Sequence, residues 1–366
     1  MPMSSKKQVY YNIDEIRSKD CTYNLIFGEK SNGKSYQVKL KIMLEKYLKT
    51  ARRFILMRRW DADIKNNWIE SYFSNMDIES LTNKKYNTII KYKNEILFAN
   101  NIIGEDGSIK TKKGEKCGYA IPLSLEQHYS SADFTDCDDI ILEEFMERGS
   151  YLPNEVAKFT AFYSTVDRKR GTTKVWLIGN TVTKANPYIY EWGLQSKINS
   201  MKQGDIITLS LPNSEGEPIT MAIEYCKSSG GKSMAIGSSS GMIDKGYWQS
   251  SPQPHLPKSK KCYNILFRLG FQFQGFKFLG ELVSDKENSS NWGWFIYPYY
   301  REFDKKLHVI SDKVDISPYW HRSLDFKTRN ERLKKVLDRF TEERLFYSDD
   351  LTGTDFKQVI DFMIRR

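Results

Sequence analysis

The chain has 366 residues, 40% of them hydrophobic, and a formal net charge of +10 at pH 7. This length predicts about two domains. The sequence contains no run of about 18 apolar residues, so no membrane span is predicted. The N-terminus MPMSSKKQVYYNIDEIRSKD lacks the apolar core of a secretory signal. We therefore expect a cytosolic protein that is not secreted. The scattered cysteines, without a Cys-x-x-Cys pair, argue against disulfides and structural zinc. The basic charge fits a nucleic-acid partner, and a generally Lys-rich composition explains it equally well.

Strands and helices alternate between about residues 21 and 190, which predicts an α/β fold with a largely parallel sheet. Strands are predicted in CTYNLIFGEK, RRFILMRRW, DDIILEEFM and TKVWLIGNTV. Apolar residues recur at helical spacing in SYQVKLKIMLEKYLKTARR and NEVAKFTAFYSTVDRKR. The segment KYNTIIKYKNEILFANNIIGEDGSIKTKKG alternates like a strand, a turn and a strand.

The composition changes after about residue 200. MKQGDIITLSLPNSEGEPITMAIEY predicts a β-hairpin, and the Gly- and Ser-rich residues 226–242 predict a linker. Aromatic-rich β segments and two amphipathic helices follow. We therefore predict a first domain over residues 1–200, a hairpin and linker over 201–255, and a smaller second domain over 256–366.

The stretch GEKSNGKS matches the phosphate-loop pattern G-x-x-x-x-G-K-[ST] at every fixed position. An apolar strand enters the loop and a predicted helix leaves it, which is the context that a phosphate cradle requires. Lys34 would neutralise phosphate charge, and Ser35 would be a Mg²⁺ ligand. We predict an ATP site with Mg²⁺ at Gly28, Glu29, Lys30, Ser31, Asn32, Gly33, Lys34, Ser35 and Tyr36.

The run DDIILEEF places two carboxylates at the end of a buried strand, where α/β folds bind ligands. Glu143 is predicted to hold the metal, and Glu144 is predicted to polarise the attacking water. An exposed acidic turn is the alternative interpretation.

Two further elements would complete a hydrolytic site. The segment STVDRKRG offers Arg168, Lys169 and Arg170 as a positive charge for the transferring phosphoryl group, and a solvated basic turn is equally consistent with it. Asn180 ends the next predicted strand, and its amide could contact the γ-phosphate or the water.

These segments together resemble a known family. GEKSNGKSY, FILMRRW, GYAIPLS, ILEEF, YLPNEV, STVDRKR and LIGNTVTKANPY occur in the order seen in the DNA encapsidation ATPases of phi29-like podoviruses. That family belongs to the additional-strand catalytic-glutamate P-loop ATPases, near the terminases and FtsK. The resemblance covers roughly residues 20–195. The remainder of the chain resembles the family only in its general composition.

The resemblance implies a genome-packaging motor that drives double-stranded DNA into an empty capsid. It implies a homo-oligomeric ring, of five subunits, on the capsid portal in the host cytoplasm, in some members with a packaging RNA. Arg168 matches the arginine finger that acts on a neighbouring subunit. The family's usual acidic pair is Asp-Glu, whereas this chain has Glu143 and Glu144, so its metal shell must adjust.

The resemblance also implies that the second domain has a degenerate RNase H-like fold. The strand YNILFRLGFQF contains no acid, and Glu281 and Asp285 are predicted to be turn residues, so we expect no nuclease activity. Arg58 and Arg59 are candidate nucleic-acid contacts that could equally contact nucleotide or a neighbouring subunit. Lys258, Lys260, Lys261 and Arg268 are further candidates, and a solvated linker edge explains their charges equally well.

Two other functions stay open at this level. The chain could be a P-loop NTPase of another kind, such as a switch or a helicase-like repair enzyme, which would not need Arg168. It could also be a DNA- or RNA-binding protein with an inactive ATP site, a possibility that Glu143 raises.

Overall fold

The computed structural model arranges the chain around two β-sheets, of nine and six strands. The structure describes residues 9–147, 151–184, 186–213, 215–230, 245–248, 250–273, 276–311, 316–322, 331–341 and 344–364. Most of the predicted linker over residues 226–242 lies outside the described residues.

The nine-stranded sheet is parallel through its centre, as the alternation of strands and helices predicts. Its strand order is β3-β4-β5-β2-β6-β7-β1-β9-β8, and each neighbouring pair from β5 to β9 in this order is parallel. Its strands are β1 (Tyr23–Gly28), β2 (Arg53–Arg58), β3 (Thr88–Tyr92), β4 (Glu95–Ile103), β5 (Ile109–Pro122), β6 (Cys137–Glu143), β7 (Lys174–Asn180), β8 (Ile206–Pro212) and β9 (Pro218–Tyr225). Apolar cores cover both faces, so the central strands are continuous apolar runs.

Antiparallel strands complete both edges of this sheet. At one edge, β3, β4 and β5 pair in succession, so the segment predicted as a strand, a turn and a strand contributes to three strands. The turn at GEDG separates β4 from β5. At the other edge, the predicted hairpin forms as β8 and β9. The prediction that this hairpin belongs to a connector is wrong, because β9 pairs in parallel with β1 along Tyr23 to Phe27. The first structural unit therefore extends at least to Tyr225.

Helices cover the nine-stranded sheet on both faces. The long helix after β1 has three parts, namely α2 (Lys34–Gln37), a π-helical segment (Val38–Leu44) and α3 (Glu45–Thr50). The other helices of this unit are α1 (Asp14–Arg17), α4 (Asn66–Phe73), α5 (Ile78–Leu81), α6 (Glu155–Asp167), α7 (Pro187–Glu191) and α8 (Gln195–Ser200). None of the helices in the described part of the chain is long and apolar enough to cross a membrane.

The second sheet has the strand order β14-β13-β10-β11-β12-β15. Strands β10, β11 and β12 are antiparallel, whereas β13, β14 and β15 join in parallel. The elements are β10 (Tyr263–Phe273), β11 (Phe276–Asp285), β12 (Trp292–Pro298), β13 (Val309–Ser311), β14 (Trp320–His321), α9 (Glu331–Thr341), β15 (Leu345–Tyr347) and α10 (Asp350–Ile364). Glu281 and Asp285 lie within β11, so their predicted place in a turn is wrong. The RNase H-like classification stays a prediction.

Glu224 of β9 is a buried carboxyl group whose titration should change stability. Tyr11 Oη donates a 2.7 Å hydrogen bond to its Oε2 atom. Burial raises the pKa of Glu224 to about 7, the nearby Glu15 adds to this rise, and the Tyr11 hydrogen bond and Lys227 oppose it. The folded state therefore keeps a proton that the unfolded state loses above its ordinary, lower pKa, so stability falls as pH rises towards 7.

We predict that Glu224→Gln removes this loss of stability. At pH 8 the variant should be more stable than wild type by about 2–3 kcal/mol, because the neutral amide mimics the protonated carboxyl group. The difference should shrink towards zero as pH falls to about 4.5. Denaturant unfolding at several pH values measures this. Glu217→Gln, in the exposed turn of the same hairpin, is the control, and equal pH dependence of both variants would contradict the prediction.

Candidate active site

The phosphate-loop residues lie between β1 and α2, at the carboxyl edge of the parallel sheet. Gly33 adopts a left-handed φ of 100°, which an L side chain rarely adopts, and α2 begins at the next residue. At Gly28, a Cβ atom would lie 2.9 Å from the Cβ of Cys226, so only glycine fits against the residue that follows β9. The two glycines of the motif therefore serve a tight turn and a close packing contact.

Lys34 points back into the loop. Its Nζ atom donates to the Glu29 carbonyl at 2.5 Å, to Asn32 Oδ1 at 3.2 Å and to Asn180 Oδ1 at 3.2 Å. Burial lowers the pKa of Lys34, with nearby carboxylates opposing the shift. The predicted phosphate ligand and the predicted amide at the end of β7 are therefore brought together, although Asn180 lies 146 residues further along the chain.

The loop borders a cavity of about 740 Å³. Seven of the nine predicted nucleotide-binding residues line it, from Lys30 to Tyr36, together with Tyr10, Tyr11, Gln37, Lys39, Asn75 and Asn180. The Nδ2 atom of Asn32 is buried without a hydrogen-bond partner among the described residues. A buried donor of this kind costs free energy until an acceptor arrives, so the site fits an anionic ligand such as a phosphate chain.

Glu29 does not line this cavity. Its buried carboxylate accepts hydrogen bonds from Ser229 N at 3.0 Å and from the hydroxyl groups of Ser228 and Ser229. Its backbone carbonyl accepts the bond from Lys34. Glu29 therefore ties the phosphate loop to the segment that follows β9.

Glu143 ends β6 with its carboxylate against the loop. Its Oε2 atom accepts a 3.1 Å hydrogen bond from Ser35 Oγ, and its Oε1 atom accepts a 2.6 Å hydrogen bond from Tyr72 Oη. Burial raises the pKa of Glu143, and these two hydrogen bonds oppose the rise. The two predicted metal ligands, Ser35 and Glu143, thus lie side by side. A hydroxyl group and a carboxylate are the oxygen ligands that suit Mg²⁺.

Glu144 is the next residue, and its backbone has a left-handed φ of 57°. Its side chain is 50% exposed, pairs with Arg58 at 2.8 Å and is not part of the cavity wall. The predicted water-polarising residue therefore stands beside the site, held by an arginine.

Arg168 lies near the amino-terminal ends of the parallel strands, whereas the phosphate loop lies at their carboxyl ends. The reason is that α6 runs back from the carboxyl ends of the strands to the start of β7. Arg168 is exposed, and its guanidinium group donates to the Ala132 carbonyl at 2.8 Å. Arg170 is anchored instead, by bonds to the carbonyl groups of Thr135, Val166, Asp167 and Cys137. Of the three cationic candidates, Arg170 therefore has a structural role. Arg168 lies at the opposite end of the strands from the phosphate loop of its own chain, so it cannot reach a phosphate bound there.

A model of the family described as Podovirus DNA encapsidation protein (Gp16) matches residues 5–342 of the chain. The chain belongs to this family. It is 26% identical to the DNA packaging protein of Bacillus phage phi29 over 196 residues, which is 53% of each chain. It is 29% identical to the DNA packaging protein of Bacillus phage B103 over 185 residues, or 50% of this chain and 51% of that one. The chain thus aligns with about half the length of these relatives.

The solved phi29 viral genome packaging motor assembly contains a chain of similar fold. The TM-score is 0.58 at 19% identity, over 97% of this chain and 99% of that chain. The similarity therefore extends over both sheets of this chain.

The two arginines at the end of β2, Arg58 and Arg59, bind groups within the chain. Arg59 is buried and pairs with Glu155 at 2.7 Å, so it has a structural role in this encapsidation-family chain. Arg58 is mostly buried between Glu144 and the ring of Trp68, 5.0 Å from its guanidinium carbon. Both guanidinium groups are therefore engaged within the chain, and their contact with nucleic acid stays a prediction.

Three of the four basic residues predicted as nucleic-acid contacts in the second domain are paired with acids. Lys260 Nζ lies 2.6 Å and Arg268 Nε 3.0 Å from the carboxylate of Glu281, and Lys258 Nζ lies 2.9 Å from that of Asp285. Lys261 is exposed. This pairing reduces the net positive charge that the predicted contacts would offer to phosphate groups.

Sequence reasoning missed two residues at the site. Tyr72 binds the Glu143 carboxylate, and Lys39 lines the cavity one turn after Ser35. Tyr72 belongs to the amphipathic helix α4, where an aromatic residue predicts only core packing. Lys39 comes four residues after Ser35, so on a helix it lies on the same face as Ser35. This spacing is the one sequence signal that could have placed Lys39 at the cavity.

Proposed function

We propose that this protein is an ATPase that drives double-stranded viral DNA into an empty procapsid. The observation that carries the proposal is the convergence of Lys34, Ser35, Glu143 and Asn180 at one edge of the parallel sheet, in a chain of the encapsidation family. The relatives from phages phi29 and B103 are named DNA packaging proteins, which supports the same substrate.

ATP with Mg²⁺ is the proposed ligand. The phosphate chain would be held by the loop amides, by Lys34 and by the Asn32 amide. Bound Mg²⁺ would be held by Ser35 and Glu143, and it supplies charge neutralisation to a transferring phosphoryl group. Glu144 would orient the attacking water and accept its proton at a carboxylate oxygen, once released from Arg58. Asn180 would hold the Lys34 ammonium in place.

We propose that the working form is a ring on the portal of the procapsid, in the cytoplasm of the infected host. A ring would let Arg168, at the sheet edge opposite the phosphate loop, act on the site of a neighbouring subunit. Five subunits and a packaging RNA are further expectations from the family resemblance. DNA contacts should be to the phosphate backbone and insensitive to sequence.

The second domain is proposed to bind nucleic acid or portal without nuclease activity. Its buried Glu281 is engaged by Lys260 and Arg268, which leaves its carboxylate committed to ion pairs. Metal-dependent cleavage needs carboxylates that are available to two metal ions.

Subunit mixing tests the proposal. Wild-type turnover of Mg²⁺-ATP should rise when double-stranded DNA is added, and Glu144→Gln and Arg168→Ala should each be inactive alone. Mixing the two variants should restore part of the activity, because an intact Arg168 from one subunit then serves the intact Glu144 of another. The controls are mixtures of each variant with itself.

The other candidate functions predict different outcomes. An NTPase of another kind would keep its activity in Arg168→Ala and would gain nothing from mixing. A binding protein with an inactive site would bind ATP and DNA without turnover. In that case, Glu143→Asp tests whether the longer carboxylate has silenced the site.

A further inference from the structure

The hydroxyl group of Tyr72 is the second of two hydrogen-bond donors that hold the Glu143 carboxylate. Tyr72 Oη lies 2.6 Å from Oε1, and Ser35 Oγ lies 3.1 Å from Oε2. Each donor takes a different oxygen, so the plane of the carboxylate is fixed. The oxygen that faces Ser35 is the one available for a metal ion that Ser35 also binds.

Tyr72 is itself held from two sides. Its ring stacks on Trp68 with centroids 4.7 Å apart, and the Lys39 ammonium lies 4.5 Å from its centroid on a cation–π contact. Lys39 also donates to the Tyr72 carbonyl and, at 2.6 Å, to Asn75 Oδ1. Lys39 is buried, so these bonds replace its water.

This clamp joins two elements of the site. Lys39 lies in the π-helical segment that follows the phosphate loop, and Asn75 lies just after α4. A π-helical turn inside a helix is often found at functional sites. Here the segment carries a lysine that grips the end of the neighbouring helix, and that helix supplies the tyrosine.

A glutamate needs such support more than an aspartate does. Its side chain has one more methylene group and one more rotatable bond, so an unsupported Glu143 carboxylate would sample several positions. A donor at Oε1 removes that freedom without occupying the oxygen that faces Ser35. Groups of this kind, which orient a metal ligand from behind, strongly affect metal affinity.

We propose that Tyr72 is a positioning residue for Glu143, that Lys39 holds Tyr72 in place, and that this pair adapts the site to glutamate. The inference rests on the proposed function of the same site, since it assigns Glu143 to Mg²⁺. It makes no claim that Tyr72 or Lys39 touches the nucleotide.

Equilibrium binding of ADP to the full chain, by calorimetry with Mg²⁺ and with EDTA, tests the proposal. Tyr72→Phe keeps the ring and removes only the hydroxyl group. We expect the gain in ADP affinity from Mg²⁺ to fall about tenfold or more, the range for residues that orient a metal ligand. ADP affinity in EDTA should stay within about twofold of wild type, because an oriented Glu143 matters only when the metal is present.

The matched control is Tyr119→Phe. It removes a hydroxyl group that accepts a 3.0 Å bond from Lys116 on β5, remote from the cavity. Its Mg²⁺-dependent gain should equal that of wild type. Should Tyr72→Phe fail to fold, Lys39→Gln provides the second measurement, with the same loss expected because Tyr72 is released.

A double substitution separates positioning from general packing. The shorter side chain in Glu143→Asp cannot reach both donors, so adding Tyr72→Phe to it should change the Mg²⁺-dependent gain less than twofold. Equal losses in both backgrounds would overturn the proposal, as would an unchanged Mg²⁺-dependent gain in Tyr72→Phe. A loss of ADP affinity that is the same with and without Mg²⁺ would also overturn it.

Turnover measured in parallel distinguishes this inference from the proposed function. A wild-type protein without turnover, whose Mg²⁺-dependent ADP affinity still depends on Tyr72, would refute the motor and leave the positioning role intact. An active wild type with an unaffected Tyr72→Phe would refute the positioning role alone. Absence of any Mg²⁺-dependent gain in wild type would refute the positioning role, and turnover would still decide the proposed function.

Discussion

Arg168→Ala is expected to slow ATP turnover by the assembled protein about a thousandfold, the lower range for an arginine finger. ATP affinity of the isolated subunit should be unchanged. The reason is topological, since Arg168 lies at the end of α6, opposite the loop that holds Lys34. Steady-state turnover with double-stranded DNA, together with equilibrium binding to the isolated subunit, measures the two effects separately.

The neighbouring cations provide matched controls. Lys169→Ala removes an exposed charge one residue away and should leave turnover within about twofold of wild type. Lys169 has no ion pair among the residues that the structure describes, and an exposed charge of this kind contributes little. Arg170→Ala removes an anchor of the turn and should instead lower the free energy of unfolding by about 1–3 kcal/mol. Loss of activity in Lys169→Ala with retention in Arg168→Ala would contradict the assignment of the finger.

Local features of this chain were predictable because their physics is local. The phosphate loop needs glycines at fixed positions beside a lysine and a hydroxyl group, and GEKSNGKS states all of these in eight residues. Parallel strands that are buried on both faces are continuous apolar runs, so β1, β2, β6 and β7 were also evident. The carboxyl ends of such strands meet at one edge, which placed Glu143 and Asn180 near the loop.

Long-range pairing was not predictable in the same way. The alternation of apolar and polar residues along β9 does not indicate which strand pairs with it. Its neighbour β1 lies about 200 residues earlier in the chain, so the hairpin was assigned to a connector. Arg58 and Arg59 had the same difficulty. Arginine is usually exposed, and only a carboxylate supplied by a distant segment makes its burial possible. The hydroxyl group of Tyr72 acts through one contact that helical periodicity cannot indicate.

Arg59 should therefore contribute to stability rather than to DNA binding, and we expect Arg59→Met to lower the free energy of unfolding by about 3–5 kcal/mol. The side chains of Arg59 and Glu155 are 3% and 0% exposed. Arg59 also donates to the carbonyl groups of Glu144 and Phe145 and lies over the ring of Tyr151, 4.6 Å from its centroid. Removing Arg59 leaves the buried Glu155 carboxylate without its cation. It also loosens the segment that carries Glu144, so turnover should fall as well.

Neutralising the partner tests this explanation of the Arg59→Met loss. In the wild-type chain, the Leu152 amide donates a 2.8 Å hydrogen bond to Glu155 Oε2. Glu155→Gln keeps an acceptor for this amide and removes the buried charge. The double variant Arg59→Met/Glu155→Gln should therefore be more stable than Arg59→Met alone, by about 1–2 kcal/mol. Denaturant unfolding measures each variant, with Arg17→Met at the exposed Arg17–Asp14 pair as a control that should cost under about 0.5 kcal/mol. A double variant less stable than Arg59→Met would show that the stranded charge is not the cause. The loss would then come from the other contacts of the guanidinium group, namely its ion pair with Glu147, its packing against Tyr151 and its bonds to the two carbonyl groups.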